Sequence, residues 1–389
     1  MMCRINQSPQ LTIGRLRRQA VETNNCLQEI EMNWFWRIVL SLDTVPSKFR
    51  VRAAEALGGS NNPGAVRALL KARASSESYV SEAAIAALKS LGSTALSPLV
   101  RLLESTVPAE RAHSAEGLGF LGKDARPAVP NLLRLLHDKQ MGVRLKAGDA
   151  LGRIGPGSAE AIPEFINWLK EVEPRQIEVA ARALGGIGPI AKDALPILVD
   201  RVTHLDKAAR EAVAETIGKI GSLAKIFVPK LATDLSHIDS DVRETVARAL
   251  GGIGPEAKAA VPALIAQLDD IDRAVRTACT KAIGQIGPNA AAAVPRLIDL
   301  FHDKDYGVRE AVCKALTLIG PASAPAVEGL IRQLQDDRGT VRLAAVEALI
   351  AIGSNSTTAL PAIKSLSSDK YPSVRAAAAR AIEVLETSS

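Results

Sequence analysis

The sequence predicts an all-α solenoid, a superhelical stack of about eleven helix pairs. Three columns of residues carry that reading, and internal periodicity is tested first because missing it mis-assigns the whole fold. An ending resembling Gly-x-Ile-Gly places its last Gly at Gly122, Gly155, Gly188, Gly221, Gly254, Gly287, Gly320 and Gly353, every step being 33. Pro130, Pro163, Pro196, Pro229, Pro262 and Pro295 keep the same step, and Pro361 resumes it after Glu328. Val-Arg recurs at Val242-Arg243, Val275-Arg276, Val308-Arg309, Val341-Arg342 and Val374-Arg375. Upstream the register slips: Gly92 lies 30 before Gly122, and residues 49–61 fit a repeat 31 further back.

Each repeat resolves into two helices. Val242, Val246, Ala249, Leu250 and Ile253 form one apolar stripe at helical spacing, so the Val-Arg column lies in a longer helix B, spanning 272–286 in the next repeat. Gly254 then stops the helix and Pro255 forbids its continuation, which predicts a turn. Pro262 fits the first residue of a shorter helix A over 261–268, where its missing N–H costs nothing. Glu328 suits the same place, because a carboxylate is favoured in a first helical turn. No alternating strand pattern occurs. Neither helix buries its stripe alone, so successive pairs must stack.

Composition agrees. Hydrophobic residues make up 47% but aromatics only 3%, so the core is built from many small helix contacts rather than large rings. No run approaches the roughly 18 uninterrupted apolar residues of a membrane span. Four Cys without a CxxC pair exclude a disulfide scaffold and a Cys-rich zinc site, and five scattered His argue against a His-built metal centre. The expected organisation is an N-terminal extension with a capping helix over 1–42, then the repeat solenoid over 43–389, as a cytoplasmic monomer.

Helix B, reading VRxxxxxALGxIG, resembles HEAT repeats, and more closely the short HEAT-like repeats of the phycobilisome (PBS) lyase type, over about residues 43–386. The resemblance implies a right-handed superhelix and a ladder of Asp and Arg six residues apart, linking successive repeats. The matching positions are Asp138/Arg144, Asp270/Arg276, Asp303/Arg309, Asp336/Arg342 and Asp369/Arg375. Glu171/Ile177, His204/Arg210 and His237/Arg243 depart from it, which puts regular curvature in doubt between 165 and 245. It further implies a non-enzymatic scaffold without cofactor, binding a protein or peptide on a concave face lined by the B helices. The alternative it implies is an accessory protein for bilin attachment. The di-iron hydroxylases of similar fold use His-Glu pairs, and no His-Glu occurs here.

With Val of the Val-Arg column as offset 0, offsets 2, 6 and 9 of helix B point away from the stripe and are the expected binding columns. Offset 6 includes Glu55, Ala86, Glu116, Asp149, Arg248, Lys281, Lys314 and Glu347. Glu178–Arg182, Glu244–Arg248 and Glu310–Lys314 read as i,i+4 pairs on a solvated face. Offset 9 holds Gly58, Gly119, Gly152, Gly185, Gly218, Gly251 and Gly284. These are read as last-turn residues near a cap, with a bare groove for a partner backbone as the competing reading. In the tenth repeat Leu343 and Ile350 replace charge or Gly on that face, with Leu318 and Val384 flanking. A partner site around Leu343, Glu347 and Ile350 is therefore expected, with Lys314, Lys281 and Arg248 along the same column. Residues 1–155 carry +8 and residues 156–389 carry −2. That asymmetry makes nucleic-acid binding by the basic N-terminal region a third reading, although offset 6 is not basic there. Cys279 is expected in the core, and no base stands near it or Cys313 in sequence to activate a thiol.

Overall fold

The computed structural model describes residues 36–40, 46–59, 64–203 and 206–387. Cys3, Cys26, His204 and most of the expected N-terminal extension lie outside the described residues. Within the expected capping segment, residues 36–40 are helical and Leu40 is fully buried.

Among the described residues every regular element is a helix. The longer helices are α1 Ser47–Gly58, α2 Ser78–Leu91, α3 Pro108–Leu121, α4 Met141–Ile154, α5 Pro174–Ile187 and α6 Lys207–Ile220. They continue as α7 Ser240–Ile253, α8 Arg273–Ile286, α9 Tyr306–Ile319, α10 Gly339–Ile352 and α11 Pro372–Thr387. A shorter helix follows each of them except the last. The chain divides into two compact units, one ending at Ser158 and the other beginning at Ala159. The first holds α1–α4 and the second α5–α11. In each unit consecutive long helices pack side by side, and the short helices pack against them. The boundary precedes the repeat in which Glu171 and Ile177 replace the ladder's Asp and Arg.

The sequence stripe is the core: Val242, Val246, Ala249, Leu250 and Ile253 are all buried. The starts of α6 to α9 are capped by Asp206, Asp239, Asp272 and Asp305, short acids that suit an N-cap. Asp272 accepts from the Ala274 N–H at 2.8 Å and Asp305 from the Gly307 N–H at 2.8 Å. At the other end, each long helix from α2 to α10 stops on a Gly with positive φ. Gly254, at φ 76° and ψ −143°, occupies a region that a Cβ disfavours, so Gly is required there.

Two expectations about the linkage need correction. The residues after Gly254 form a 3-10 helix, Gly254–Ala260, instead of an open turn. Pro255 starts it, because the ring fixes φ near the helical value. The short helix Val261–Ala266 then tightens into a 3-10 turn at Gln267–Asp269, so the α-helix ends two residues before the expected position. Residues 339–368 are long and apolar enough, on length and composition, to cross a bilayer. They are two helices parted at Gly353 (φ 75°) by a 3-10 segment.

The recurrent Gly at offset 9 has a different cause from both sequence readings. A Cβ on Gly58 would lie 2.7 Å from Ala87 Cα, on Gly251 3.0 Å from Ala282 Cα, and on Gly284 2.7 Å from Ala315 Cα. The bare backbone is occupied by the next long helix. Gly218 and Gly252 meet each other in the same way, with a Cβ on either falling within 3.0 Å of the other's Cα. These crossings fix how closely successive repeats approach. Gly284→Ala should therefore lower the urea midpoint, at a cost of about 1–3 kcal/mol for overpacking. Gly142→Ala, where a Cβ meets nothing within 4 Å, should raise it by up to about 1 kcal/mol through helix propensity. Equal effects at the two positions would refute the close-crossing account.

Candidate partner-binding site

The ladder residues set the frame of the site. Arg Nε and Nη2 of one repeat donate to both carboxylate oxygens of the Asp 27 residues later. This holds for Arg111–Asp138, Arg243–Asp270, Arg276–Asp303, Arg309–Asp336 and Arg342–Asp369, at 2.7–3.1 Å. The six-residue spacing has its own bond: Arg144, Arg276, Arg309, Arg342 and Arg375 donate Nη1 to the carbonyl oxygen of Asp138, Asp270, Asp303, Asp336 and Asp369. Each Asp also accepts the N–H two residues on, such as Asp272 N–H at Asp270. Arg111 and Arg243 were missed as rungs because no Asp stands six residues before them. The Arg-to-Asp spacing of 27 would have found both.

The rung is altered where His237 takes the Asp position. Nδ1 of His237 accepts the Asp239 N–H at 3.0 Å, standing in for the carboxylate oxygen. Arg210, 7% exposed, lies instead 3.5 Å from Asp239 and 3.8 Å from Asp241.

Arg248, Lys281 and Lys314 occupy the exposed face of α7, α8 and α9. Arg248 and Lys281 line two neighbouring grooves in the second unit. One, of about 330 Å³, has Gly218, Gly252, Ala214 and Ala278 for its floor and Lys219 and Gln285 at its rim. The other, of about 480 Å³, continues over Ala274, Thr277 and Arg273. The pairs around them are long or exposed: Arg248 lies 3.6 Å from Glu211 and 3.8 Å from Glu244, and Lys219 2.8 Å from Glu215. Lys314 sits 2.5 Å from Glu310 and Arg182 2.9 Å from Glu178.

Leu343, Glu347 and Ile350 lie together on α10, but all three are half-buried, as is Val384, and of the expected cluster Leu318 alone is exposed, at 56%. Offset 9 lies at the crossing of neighbouring long helices, which explains the partial burial of Ile350. In the first unit Glu116 departs further from expectation. It is 6% exposed, held by Arg73 and Lys146, each at 2.6 Å.

Chemistry among the described residues is sparse. Burial pushes the Cys279 thiol up to about 12, and the same cause raises Cys313. No group of three or more His, Cys, Asp or Glu converges as a metal-ligand set among the described residues.

The family model for HEAT repeats matches residues 39–119, 228–317 and 294–383. No curated protein sequence matches the chain. Among solved structures the fold resembles yeast importin-beta (Kap95p), with a TM-score of 0.67 at 13% identity, covering 99% of this chain and 60% of that one. Against a complex of Kap95p with RanGDP the TM-score is 0.63 at 14% identity, covering 98% and 60%. Against Kap121p bound to Pho4p it is 0.60 at 16% identity, covering 90% and 49%. The chain thus spans about half to three fifths of these proteins' length, and the likeness is one of fold.

The ladder makes acid stability a direct readout. The Arg111 and Arg342 hydrogen bonds hold Asp138 and Asp369 below the usual carboxylate range. At Asp270 and Asp336 burial is the largest single influence and acts upward, and the Arg243 and Arg309 hydrogen bonds outweigh it only together with the backbone N–H bonds and the neighbouring positive charge, so both carboxyls are lowered. A depressed folded pKa contributes stability that is present above the unfolded value near 4 and is lost as pH falls through the folded one. Urea midpoints should therefore fall steeply from about pH 4 downward. Arg342→Ala, which strands a buried carboxylate, should cost about 3–5 kcal/mol at neutral pH and flatten the acid dependence. An unchanged acid limb in that variant would contradict the ladder's role.

Proposed function

The chain belongs to the HEAT-repeat family, and from that premise we propose that it is a non-enzymatic cytoplasmic scaffold holding a protein or peptide partner on the face of its long helices. The observation that carries this reading is the pair of grooves on α6–α8 that share Arg248 and Lys281. Gly and Ala at the helix crossing keep their floor low, and their rim carries long cationic side chains beside Glu215 and Glu244. That combination suits an extended or helical segment bearing carboxylates. The column continues through Lys314 toward Leu343, Glu347 and Ile350, whose half-buried aliphatic groups would give such a segment an apolar anchor. Two solved solenoids of similar fold are complexes with proteins, RanGDP and Pho4p. The buried thiols, raised well above neutrality, favour a binding role over thiol chemistry. The bilin-attachment alternative rests on repeat type alone.

The test is a photo-crosslinking residue at Thr277, in the second groove. In host extract it should give one dominant protein adduct, competed by unlabelled chain and lost in Arg248→Glu/Lys281→Glu. An adduct that survives the double charge reversal would exclude this face as the docking surface.

A further inference from the structure

The first unit contains a cavity that neither the ladder nor the long-helix grooves use. It lies between helical residues 36–40, the short helices Ala65–Arg73 and Ser93–Leu102, and the start of α3, and its volume is about 480 Å³. Helical residues 36–40 are held there by the fully buried Leu40 and by Arg50, whose Nε donates to the Leu40 carbonyl oxygen at 3.4 Å. The repeat register slips at this place. Ser93 starts a short helix directly after Gly92, without the 3-10 segment that follows each long helix from α3 to α10.

The wall is aliphatic at Ile38, Ala68, Leu70 and Leu102. Leu70 is buried, Ala68 and Leu102 are half-buried, and of the large apolar lining residues Ile38 alone is exposed, at 37%. Arg37, Lys71 and His113 share the lining, and among the described residues their side chains have no hydrogen-bonding or ionic partner. Arg67 and Glu110 complete the charged lining and are already engaged. Arg67 Nη2 donates to Glu110 at 3.3 Å, and Ser105 Oγ donates to the same carboxylate at 2.6 Å. An aliphatic wall therefore stands beside two uncompensated cations and an imidazole, in the stretch 1–155 whose charge is +8.

Size and chemistry describe what fits. Small-molecule sites are commonly about 300–1,000 Å³, mostly apolar, with a few convergent polar groups. A guanidinium receives a carboxylate in bidentate form, and an ammonium and an imidazole supply further donors. A single apolar chain suits the volume, whereas an α-helix, about 10–12 Å across with its side chains, does not. Insertion into a bilayer needs apolar side chains that project, and of the lining only Ile38 does so.

We propose that this cavity binds an aliphatic carboxylate of the fatty-acid class, its chain against Ile38, Ala68, Leu70 and Leu102 and its carboxylate among Arg37, Lys71 and His113. The cavity belongs to the first unit, so this assignment does not rest on the grooves of α6–α8.

The probe is decanoate, titrated into the full chain by calorimetry. Decanol supplies the uncharged chain and acetate the chainless carboxylate. Decanoate should bind one per chain and raise the melting temperature, because a ligand of the folded state stabilises it. Decanol should bind at least about tenfold more weakly, the loss expected for a charge-assisted hydrogen bond, and acetate should not bind at the same concentrations. Arg37→Gln/Lys71→Gln should weaken decanoate at least about tenfold and leave decanol unchanged, a pattern that a loosened fold would not give. Ala109→Leu, at an exposed lining position in the first turn of α3, should narrow the cavity and weaken both ligands with the ligand-free melting temperature unchanged. No binding by the native chain, several decanoates per chain, or equal binding of decanoate and decanol would overturn the proposal. So would native affinity in both variants, tighter binding of decyl phosphate than of decanoate, or phosphatidylglycerol vesicles that retain the native chain but not Arg37→Gln/Lys71→Gln.

Discussion

A long helix here finds its core on the next repeat, so everything depends on how closely two such helices approach. The approach is set by backbone against backbone: Gly58 on Ala87, Gly251 on Ala282, Gly284 on Ala315. Small residues at these crossings explain an apolar content of 47% with only 3% aromatics. A ring at the crossing would push the helices apart and open the stripe of Val, Leu and Ile that supplies the hydrophobic stabilisation. The Arg–Asp ladder acts at the other end of α3 and of α7 to α10. One carboxylate receives the guanidinium of the preceding repeat and closes its own loop through the N–H two residues on. Loop conformation and repeat register are thereby coupled in one side chain.

The division into helices was legible because Gly, Pro and Val-Arg columns each report a local requirement. A Gly at φ 76° and a Pro at a helix start are needed whatever the neighbours do. Contacts between repeats were read less well. The Gly column was visible, but its cause lies 31 residues or so away, at a partner backbone that single-repeat reasoning does not contain. Glu116 reads as surface on its own helix, and is buried where Arg73, from the end of the short helix Ala65–Arg73, and Lys146, from α4, come to it. Leu343 and Ile350 failed to stand out in water for a related reason: offset alone does not say how much of a face the next helix covers. The rungs at Arg111 and Arg243 were hidden by a search for pairs within a repeat, when the bidentate pair joins two repeats.

Repetition also separates residues that serve the stack from those released from it. Most positions engaged in the ladder or the crossings keep their chemistry from repeat to repeat, with Glu171, Ile177 and His237 in the ladder and Ile350 at a crossing as departures. Where no packing contact holds a position its chemistry is free to change, as at Val172, Ile238 and Ile271, which stand exposed in loops where Lys or Asp stands elsewhere. His237 is the opposite case. It replaces a ladder Asp yet reproduces one of that residue's contacts, and Arg210 turns to Asp239 and Asp241. The rung is rebuilt with longer contacts, so the substitution is absorbed by the stack.

The mixed charge of the long-helix grooves bears on how a partner would be accepted. A groove lined only by cations would bind many anions, whereas Arg248 and Lys219 already face Glu211, Glu244 and Glu215. Exposed pairs of this kind contribute little, commonly about 0–1 kcal/mol. A partner carboxylate can therefore replace one at small cost, provided its own geometry is better than the 3.6–3.8 Å contacts around Arg248. The carboxylates it displaces remain beside it and disfavour a poorly placed acid. Selectivity in such a groove comes from position as much as from charge, because a misregistered ligand meets Glu where it needs Arg. The Gly218–Gly252 crossing sharpens this, since the floor is backbone and cannot move aside.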